Sequence, residues 1–219
     1  MAFRPNPMKK NQGTDFLRRY TSLPQLLQIL QTESLTLLDP RYWDDKNDGA
    51  LIEKYCKKKK LKKVLALCFA ESSETYHHWK IYAEGVSGVC IEFDKTRLLQ
   101  ALQAQKKDLR HGSVKYVKVD ELSSYQARVS DWPFIKRLPY EGEKEFRILY
   151  EERTDTTRTS FALPVPIEAI HRVYLSPWIY RDVSNAVRKT IQSLPKCADL
   201  DVYKTSLVDN KRWKDSLEA

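Results

Sequence analysis

Long apolar runs are missing from this 219-residue sequence. The longest uninterrupted one is Val64 to Ala70, far short of the roughly 18 residues needed to cross a bilayer, so no membrane partner is expected. Met1 to Asn11 carries basic and proline residues but no apolar stretch, which gives no secretory signal. With only 6 Gly and 10 Pro the chain is neither collagen-like nor low-complexity. Cysteine is scarce too. Cys56, Cys68, Cys90 and Cys197 have no CxxC spacing, and Cys68 and Cys90 lie inside apolar, strand-like runs. Free thiols in a reducing cytoplasm are expected, rather than disulfides or a zinc site. GxxxxGK[ST], GxGxxG, HExxH and GxSxG are all absent. Four His leave few candidates for a His-centred triad. The one pair, His77-His78, would point about 100° apart on a helix, so exposed helix positions are expected there and no metal site.

What is present is enough for a core: 42% hydrophobic and 11% aromatic residues. The balance of 38 Lys+Arg against 29 Asp+Glu gives a net charge of +9. That excess raises the local concentration of anionic partners, whether nucleotide, nucleic acid or an acidic surface. Its sharpest concentration is Lys57, Lys58, Lys59, Lys60, Lys62 and Lys63, directly before the apolar run. Six lysines there can hold nucleic-acid phosphates. They can equally be a solvated connector that keeps the next strand from aggregating.

No repeat or linker divides the chain, which reads as a flexible N-terminus (1–12) followed by one domain (13–219). Strands are expected at Phe16 to Thr21, Leu35 to Leu38, Val64 to Ala70, Gly88 to Asp94, Ser113 to Val119, Arg172 to Leu175 and Asp201 to Leu207. Glu145 to Glu151 and Thr159 to Leu163 look like the arms of a hairpin. One helix follows Ser22, read as an N-cap boxed with Gln25. Others run over Thr75 to Ala83, after Asp94, and after Asp182 with Val183, Ala186, Val187, Ile191 and Leu194 inward. Asp39 to Gly49 reads as an irregular acidic loop, in which a divalent ion held by Asp44, Asp45 and Asp48 is the lesser reading. Strands outnumber helices and alternate with them irregularly. The class is α+β, with a mixed, mostly antiparallel sheet that can split into two smaller ones.

A spaced set stands out: Leu67-Cys68-Phe69, Trp79-x-x-Tyr82-Ala83, Gly88-Val89-Cys90-Ile91-Glu92-Phe93-Asp94, Val114-x-Tyr116, Phe134-x-Lys136 and Glu143-Lys144-Glu145-Phe146-Arg147, with Trp43-Asp44-Asp45 upstream. From Phe16 to Leu207 it resembles the bacterial domain-of-unknown-function family 2971, whose pattern is CFS, WxxYA, GVCIxFD and ExE[WF]R. Ala70 stands where that family usually has Ser, and Asp44-Asp45-Lys46 where Asn-Asp-Pro is usual.

Glu143, Glu145 and Arg147 alternate, so on a strand they share one face, opposite Phe146, Ile148 and Tyr150. Paired carboxylates suit a ribose hydroxyl and an oxocarbenium-like transition state, because they oppose developing positive charge. An Arg beside them binds a phosphate or keeps a carboxylate ionised. The same three residues also read as a solvated charge ladder.

The arrangement is similar to that of ADP-ribosyltransferases, where a strand Glu, often in Glu-x-Glu, meets the nicotinamide ribose. In that superfamily an early strand with His or Arg beside Tyr or Thr precedes a helix, and Arg19-Tyr20-Thr21 matches that opening. The resemblance implies NAD as substrate, Glu145 with Glu143 as catalytic carboxylates, and Arg19, Tyr20, Thr21, Trp79, Tyr82 and Arg147 as its binding residues. Arg19 would meet the diphosphate, with Tyr20 and Tyr82 framing the ring. Such an effector fits a toxin or phage-defence setting with a partner protein. Trp79 and Tyr82 also read as core anchors, and the whole chain as a non-catalytic nucleic-acid- or protein-binding module.

Overall fold

In the computed structural model, residues 15–83, 85–105, 108–122, 125–154 and 157–216 are described; the expected flexible stretch 1–12 lies outside them. β1 (Phe16–Ser22) leads into α1 (Leu23–Thr32), whose Leu26, Ile29 and Leu30 are buried at helical spacing. Ser22 occupies the N-cap without a side-chain bond. The expected box is replaced by a contact between the Thr21 hydroxyl and Gln25, one turn apart. β2 (Ser34–Leu38) follows.

The expected acidic loop is then largely a helix, α2 (Lys46–Lys59). Asp45 caps it by accepting from the Asn47 amide at 3.0 Å. Ile52 and Tyr55 anchor it on the core three residues apart. Gly49, which favoured a loop by composition, is there for closeness: a Cβ on it would meet the Pro40 carbonyl oxygen at 3.3 Å.

β3 (Lys63–Ala70) is buried on both faces and occupies the centre. α3 (Tyr76–Tyr82) is capped by Thr75, and β4 (Gly88–Asp94) ends at Asp94, which caps α4 (Lys95–Ala104) through the Arg97 amide at 3.0 Å. The single strand expected at 113–119 is two: β5 (Leu109–Ser113) and β6 (Lys115–Val117), of which only β5 joins the main sheet. β7 (Ile135–Arg137) runs parallel to β6 as a separate two-stranded sheet.

β8 (Glu145–Glu152) and β9 (Ser160–Pro164) form no hairpin. β8 pairs along its length with β3 and with β5, while β9 pairs with β2. The reason is burial: β8 is buried almost throughout, its charged Glu145, Arg147, Glu151 and Glu152 finding ion-pair partners, whereas β9 alternates exposed and buried residues as an edge does. β10 (Ile170–Leu175), α5 (Arg181–Gln192), β11 (Asp201–Lys204) and the short α6 (Lys211–Asp215) complete the described chain. Tyr180, not Asp182, holds the N-cap position of α5. Val183 and Ala186 face outward there, and the inward positions are Ser184 and Ile191, with Val187 partly buried.

The sheet order is β11-β10-β4-β1-β3-β2-β9, with β8 and β5 added beside β3. All pairings in it are antiparallel except β10–β11. The class is α+β. β3 is a fork: β8 follows one edge throughout, whereas the other edge touches β1 only at Ala70 (opposite Arg18) and β2 only at Ala66 (opposite Leu38). One face of the sheet builds the main core against residues of α1, α4 and α5. On the other, α2 packs against Val64, Ala66 and Leu149, and α3 packs its Trp79 against Tyr20, Ala70 and Cys90. The space between α2 and α3, over the end of β3, is where the conspicuous residues meet.

Candidate functional site

Lys144 sets the site's backbone. It sits in the left-handed region (φ 45°), a conformation that costs a non-glycine residue about 1 kcal/mol or more. Its neighbours hold it there. The Lys144 carbonyl accepts from the Glu71 amide at 2.8 Å, and the Glu145 carbonyl from the Val114 amide at 2.8 Å. The Glu145 amide donates to the Tyr116 hydroxyl oxygen at 2.8 Å. The twist turns the Glu143 carboxylate toward α3 and starts β8 with Glu145 on the face shared by Cys68 and Ala70 of β3.

Glu145, only 6% exposed, is gripped by Arg147: Nε donates to Oε1 at 2.7 Å and Nη2 to Oε2 at 2.9 Å. The fully buried Arg147 guanidinium also bridges to both carboxylate oxygens of Asp48 from α2, with one contact at 2.9 Å. A further bond runs from its Nη1 to the Pro133 carbonyl at 2.8 Å. Trp43 lies over the same guanidinium, 4.9 Å from ring centroid to Cζ. Lys136 of β7 adds a second cation, with its Nζ 2.6 Å from Glu143, 3.4 Å from Glu145 and 3.8 Å from Asp48.

Burial would push the Glu145 pKa up, but the charges of Arg147 and Lys136 bring it down to about 2. Asp48 goes the other way, because its desolvation outweighs Arg147. Burial lowers Lys136, yet the charges of Glu145 and Glu143 leave it raised. The Cys68 thiol, partly buried and hydrogen-bonded to Glu145, is pushed well above the ordinary thiol range by desolvation and is no thiolate nucleophile.

Toward α3 the network reaches the surface. Tyr82, 42% exposed, donates its hydroxyl to Glu143 Oε1 at 2.8 Å. Burial and that carboxylate raise its pKa. His78 is within 3.0 Å of the Glu143 carbonyl through Nε2. A carbonyl only accepts, so Nε2 carries the proton, and Nδ1 faces the Thr75 hydroxyl. The His78 ring stacks on Tyr20 at 5.2 Å. Tyr20 is buried, and no hydrogen bond of normal geometry satisfies its hydroxyl among the described residues.

Arg19 completes the arrangement at the fork. Its Nη1 donates to the Cys68 carbonyl at 3.2 Å, on the stretch of β3 edge that neither β1 nor β2 covers. No carboxylate among the described residues pairs with it. Burial lowers its pKa, while the ordinary guanidinium value lies far enough above neutrality to keep it cationic. Cys68 thus joins Arg19 and Glu145, its carbonyl accepting from Arg19 and its side chain bonded to Glu145.

Several expected positions lie elsewhere. Trp79 is fully buried and donates Nε1 to Glu74 at 2.7 Å, so its faces meet the core and not a ligand ring. Thr21 is buried against Gln25. Arg147 is saturated by two carboxylates and a carbonyl, which leaves it no donor for a phosphate. His78, expected to be exposed, is buried at the site, while His77 faces solvent. Lys57, Lys58, Lys59, Lys60 and Lys62 are exposed at the end of α2, with Lys57 paired to Glu53 at 2.7 Å. Lys63 instead turns in to the Arg158 carbonyl at 2.6 Å. No cluster of potential metal ligands occurs among the described residues.

Asp48, Lys136, His78, Cys68 and Tyr116 were assigned no part in the site from sequence. Phe134-x-Lys136, Val114-x-Tyr116 and Leu67-Cys68-Phe69 did stand in the spaced pattern. Asp48 carries no such signal, because its acidic, Gly-containing surroundings have the composition of a loop.

The profile of a family described as protein of unknown function, DUF2971, matches residues 78–148, which include His78, Tyr82, Lys136, Glu143, Glu145 and Arg147. No curated protein matches the chain. Among solved structures, the chain is similar to Thermus sp. 2.9 DarT in complex with NAD+, at 12% identity and a TM-score of 0.43, over 90% of this chain and 98% of that one. It is also similar to the same protein in complex with ADP-ribosylated ssDNA, at 13% identity and a TM-score of 0.45, over 90% and 98%.

Proposed function

We propose that the chain is an NAD-consuming, ADP-ribosyltransferase-like enzyme acting as an effector, in a toxin or phage-defence setting, with NAD as substrate at the fork of the sheet. The observation that carries this reading is the run from buried to exposed charge. Glu145 is held ionised behind Lys136, Glu143 reaches the surface beside the Tyr82 ring, and Arg19, bonded to the Cys68 carbonyl, is a cation with no carboxylate partner among the described residues. In this reading Arg19 meets the diphosphate, Tyr82 flanks the nicotinamide, and Glu143 faces the ribose. The bond from C1′ to the nicotinamide nitrogen breaks and nicotinamide leaves with the electron pair. The carboxylates oppose the positive charge that develops on the ribose. An acceptor nucleophile then bonds to C1′ and gives up its proton to Glu143. Glu145 works behind Glu143 by fixing Lys136 and Arg147.

The test is release of free nicotinamide from NAD. Glu143→Gln and Tyr82→Phe alter groups near the surface and should leave thermal melting nearly unchanged. Glu143→Gln should cut turnover about 100-fold or more, and Glu145→Gln should do so too, with a loss of stability. Absence of turnover in the unmodified protein, or full turnover in Glu143→Gln, overturns the reading. The exposed lysines at the end of α2 favour a second one, a non-catalytic module for nucleic acid or an acidic partner protein. It predicts no nicotinamide release and salt-sensitive binding that disappears when Lys57, Lys58, Lys59, Lys60 and Lys62 are neutralised.

A further inference from the structure

Two arginines grip α2, β8 and the stretch 129–134 on one face of the sheet. The first is Arg147 of the charged centre. The second is Arg110 of β5, to which the site at the fork assigns no part. Arg110 stands opposite Leu149 in the β5–β8 register and Gly112 opposite Arg147, so all four point to the α2 side. Arg110 Nη1 donates to the Tyr55 hydroxyl oxygen at 2.6 Å and to Glu151 Oε1 at 3.2 Å, while Nη2 donates to the Ser130 carbonyl at 2.6 Å. Tyr55 in turn donates to Glu151. The guanidinium also lies over two rings, 5.7 Å from the centroid of Tyr55 and 5.3 Å from that of Phe134. The two grips have the same parts: Arg147 takes Asp48, Glu145 and the Pro133 carbonyl, and Arg110 takes Tyr55, Glu151 and the Ser130 carbonyl. Asp48 and Tyr55 are seven residues apart, two turns along one side of α2.

What the second grip holds is the approach to the site. Val129–Phe134 is a short 3-10 helix that runs straight into β7 with its Lys136, and Leu138–Glu143, a second one, carries Glu143. Such helices have weak internal hydrogen bonds, and β7 pairs with β6 over only three positions. The place of this segment therefore depends on what grips its start. Phe134, Trp132 and Val129 pack there against the cluster of Tyr55 and Leu149. Gly112 lets Phe134 come close, since a Cβ on it would stand 3.4 Å from the ring. At its other end the segment brings Lys136 to 3.4 Å from Glu145. A shift of about 1 Å there would part the two and move Glu143 relative to Arg19, enough to cost a reaction much of its rate.

We infer that Arg110 is a positioning residue of the site at the fork. By tying the Ser130 carbonyl to Tyr55 and Glu151, it sets where Lys136 and Glu143 stand relative to Glu145. Its kinetic consequence rests on the NAD-consuming reading above. Arg110 bonds to none of the groups that face the substrate in that reading. A lysine in its place keeps a positive charge beside the buried Glu151, but it lacks the fork that reaches phenol, carboxylate and carbonyl together.

Arg110→Lys tests this in the full chain, by hydrogen exchange without NAD and by nicotinamide release. Amides of residues 129–137 should exchange at least tenfold faster, while those of β3 and β4 keep their protection. Turnover, kcat, should fall about tenfold or more, with KM for NAD within about twofold, because Arg19 and Tyr82 stand on other elements. Gly112→Val, whose added carbons press on Phe134 from the strand and leave the Arg110 bonds in place, should give the same pattern. Arg153→Gln removes an exposed partner of Glu151 at 3.4 Å and should change neither readout. The inference is overturned by unchanged exchange over 129–137 in Arg110→Lys, by a uniform rise in exchange throughout the sheet, by faster local exchange with full kcat, or by a loss that falls on KM alone. If the unmodified chain releases no nicotinamide, the NAD reading falls, and the exchange measurement alone decides whether Arg110 places the segment.

Discussion

Glu145→Gln is the perturbation with the clearest physical consequence. The Glu145 pKa falls from an ordinary 4.5 to about 2 in the folded chain because Arg147 and Lys136 outweigh its burial. The difference corresponds to about 3 kcal/mol of folding stability. The sign follows from the direction: the stabilisation is complete above pH 4.5 and is lost as the pH falls toward 2. At neutral pH, Glu145→Gln should therefore lower the unfolding free energy by about 3 kcal/mol and the melting temperature by roughly 6–12 °C. By pH 3 the unfolded-state carboxyl is almost wholly protonated, and the gap between the two proteins should narrow to about 1 kcal/mol. Asp48 is shifted upward and titrates with the opposite sign. Because the Glu145 charge is one cause of that shift, the Asp48 contribution differs between the two proteins and is removed by repeating the comparison in an Asp48→Asn background. Urea unfolding followed by tryptophan fluorescence, with the buried Trp79 as a reporter, measures the gap. A difference under 1 kcal/mol at pH 7, or one that stays constant from pH 7 to pH 3, refutes the reasoning.

Two further substitutions separate packing from site geometry. Trp79→Ala removes a fully buried indole and should cost about 3–5 kcal/mol in urea unfolding, whereas a ligand-facing indole would cost little. Lys144→Gly relieves a left-handed backbone (φ 45°) and should raise stability by up to about 1 kcal/mol. A marked loss would show that the Lys144 side chain, not its backbone, matters there.

The order of elements was largely legible because it rests on local chemistry. The Leu-rich α1, the two-faced apolar runs of β3 and β4, and the Asp94 cap each carry their own signal within a few residues. What failed to show depends on distant partners. α2 was hidden because its Gly49 and acidic start look like a loop, while the reasons for the helix are a close approach to Pro40 and the burial of Ile52 and Tyr55. The hairpin pattern is misleading because neighbours in sequence need not pair: β8 finds β3 and β5 instead. At the site, the alternation of Glu143, Glu145 and Arg147 placed them on one face. It carried no information that Arg147 would be consumed by Asp48, ninety-nine residues away. His78 was likewise judged by its neighbour His77, when the decisive contacts are to Tyr20 and to the Glu143 carbonyl.

The span between Asp48 and Arg147 governs when the molecule becomes competent. A nascent chain can form α2 and α3 early, with His78 already beside Thr75 and Tyr20, yet Asp48 lacks Arg147 and Cys68 lacks Glu145 until the segment through β8 has left the ribosome. At about 5–20 residues per second, the hundred intervening residues impose a delay of roughly 5–20 seconds. Through that interval the cell holds a protein with helices and several strands but without its charged centre, and any fragment ending before residue 145 remains in that state.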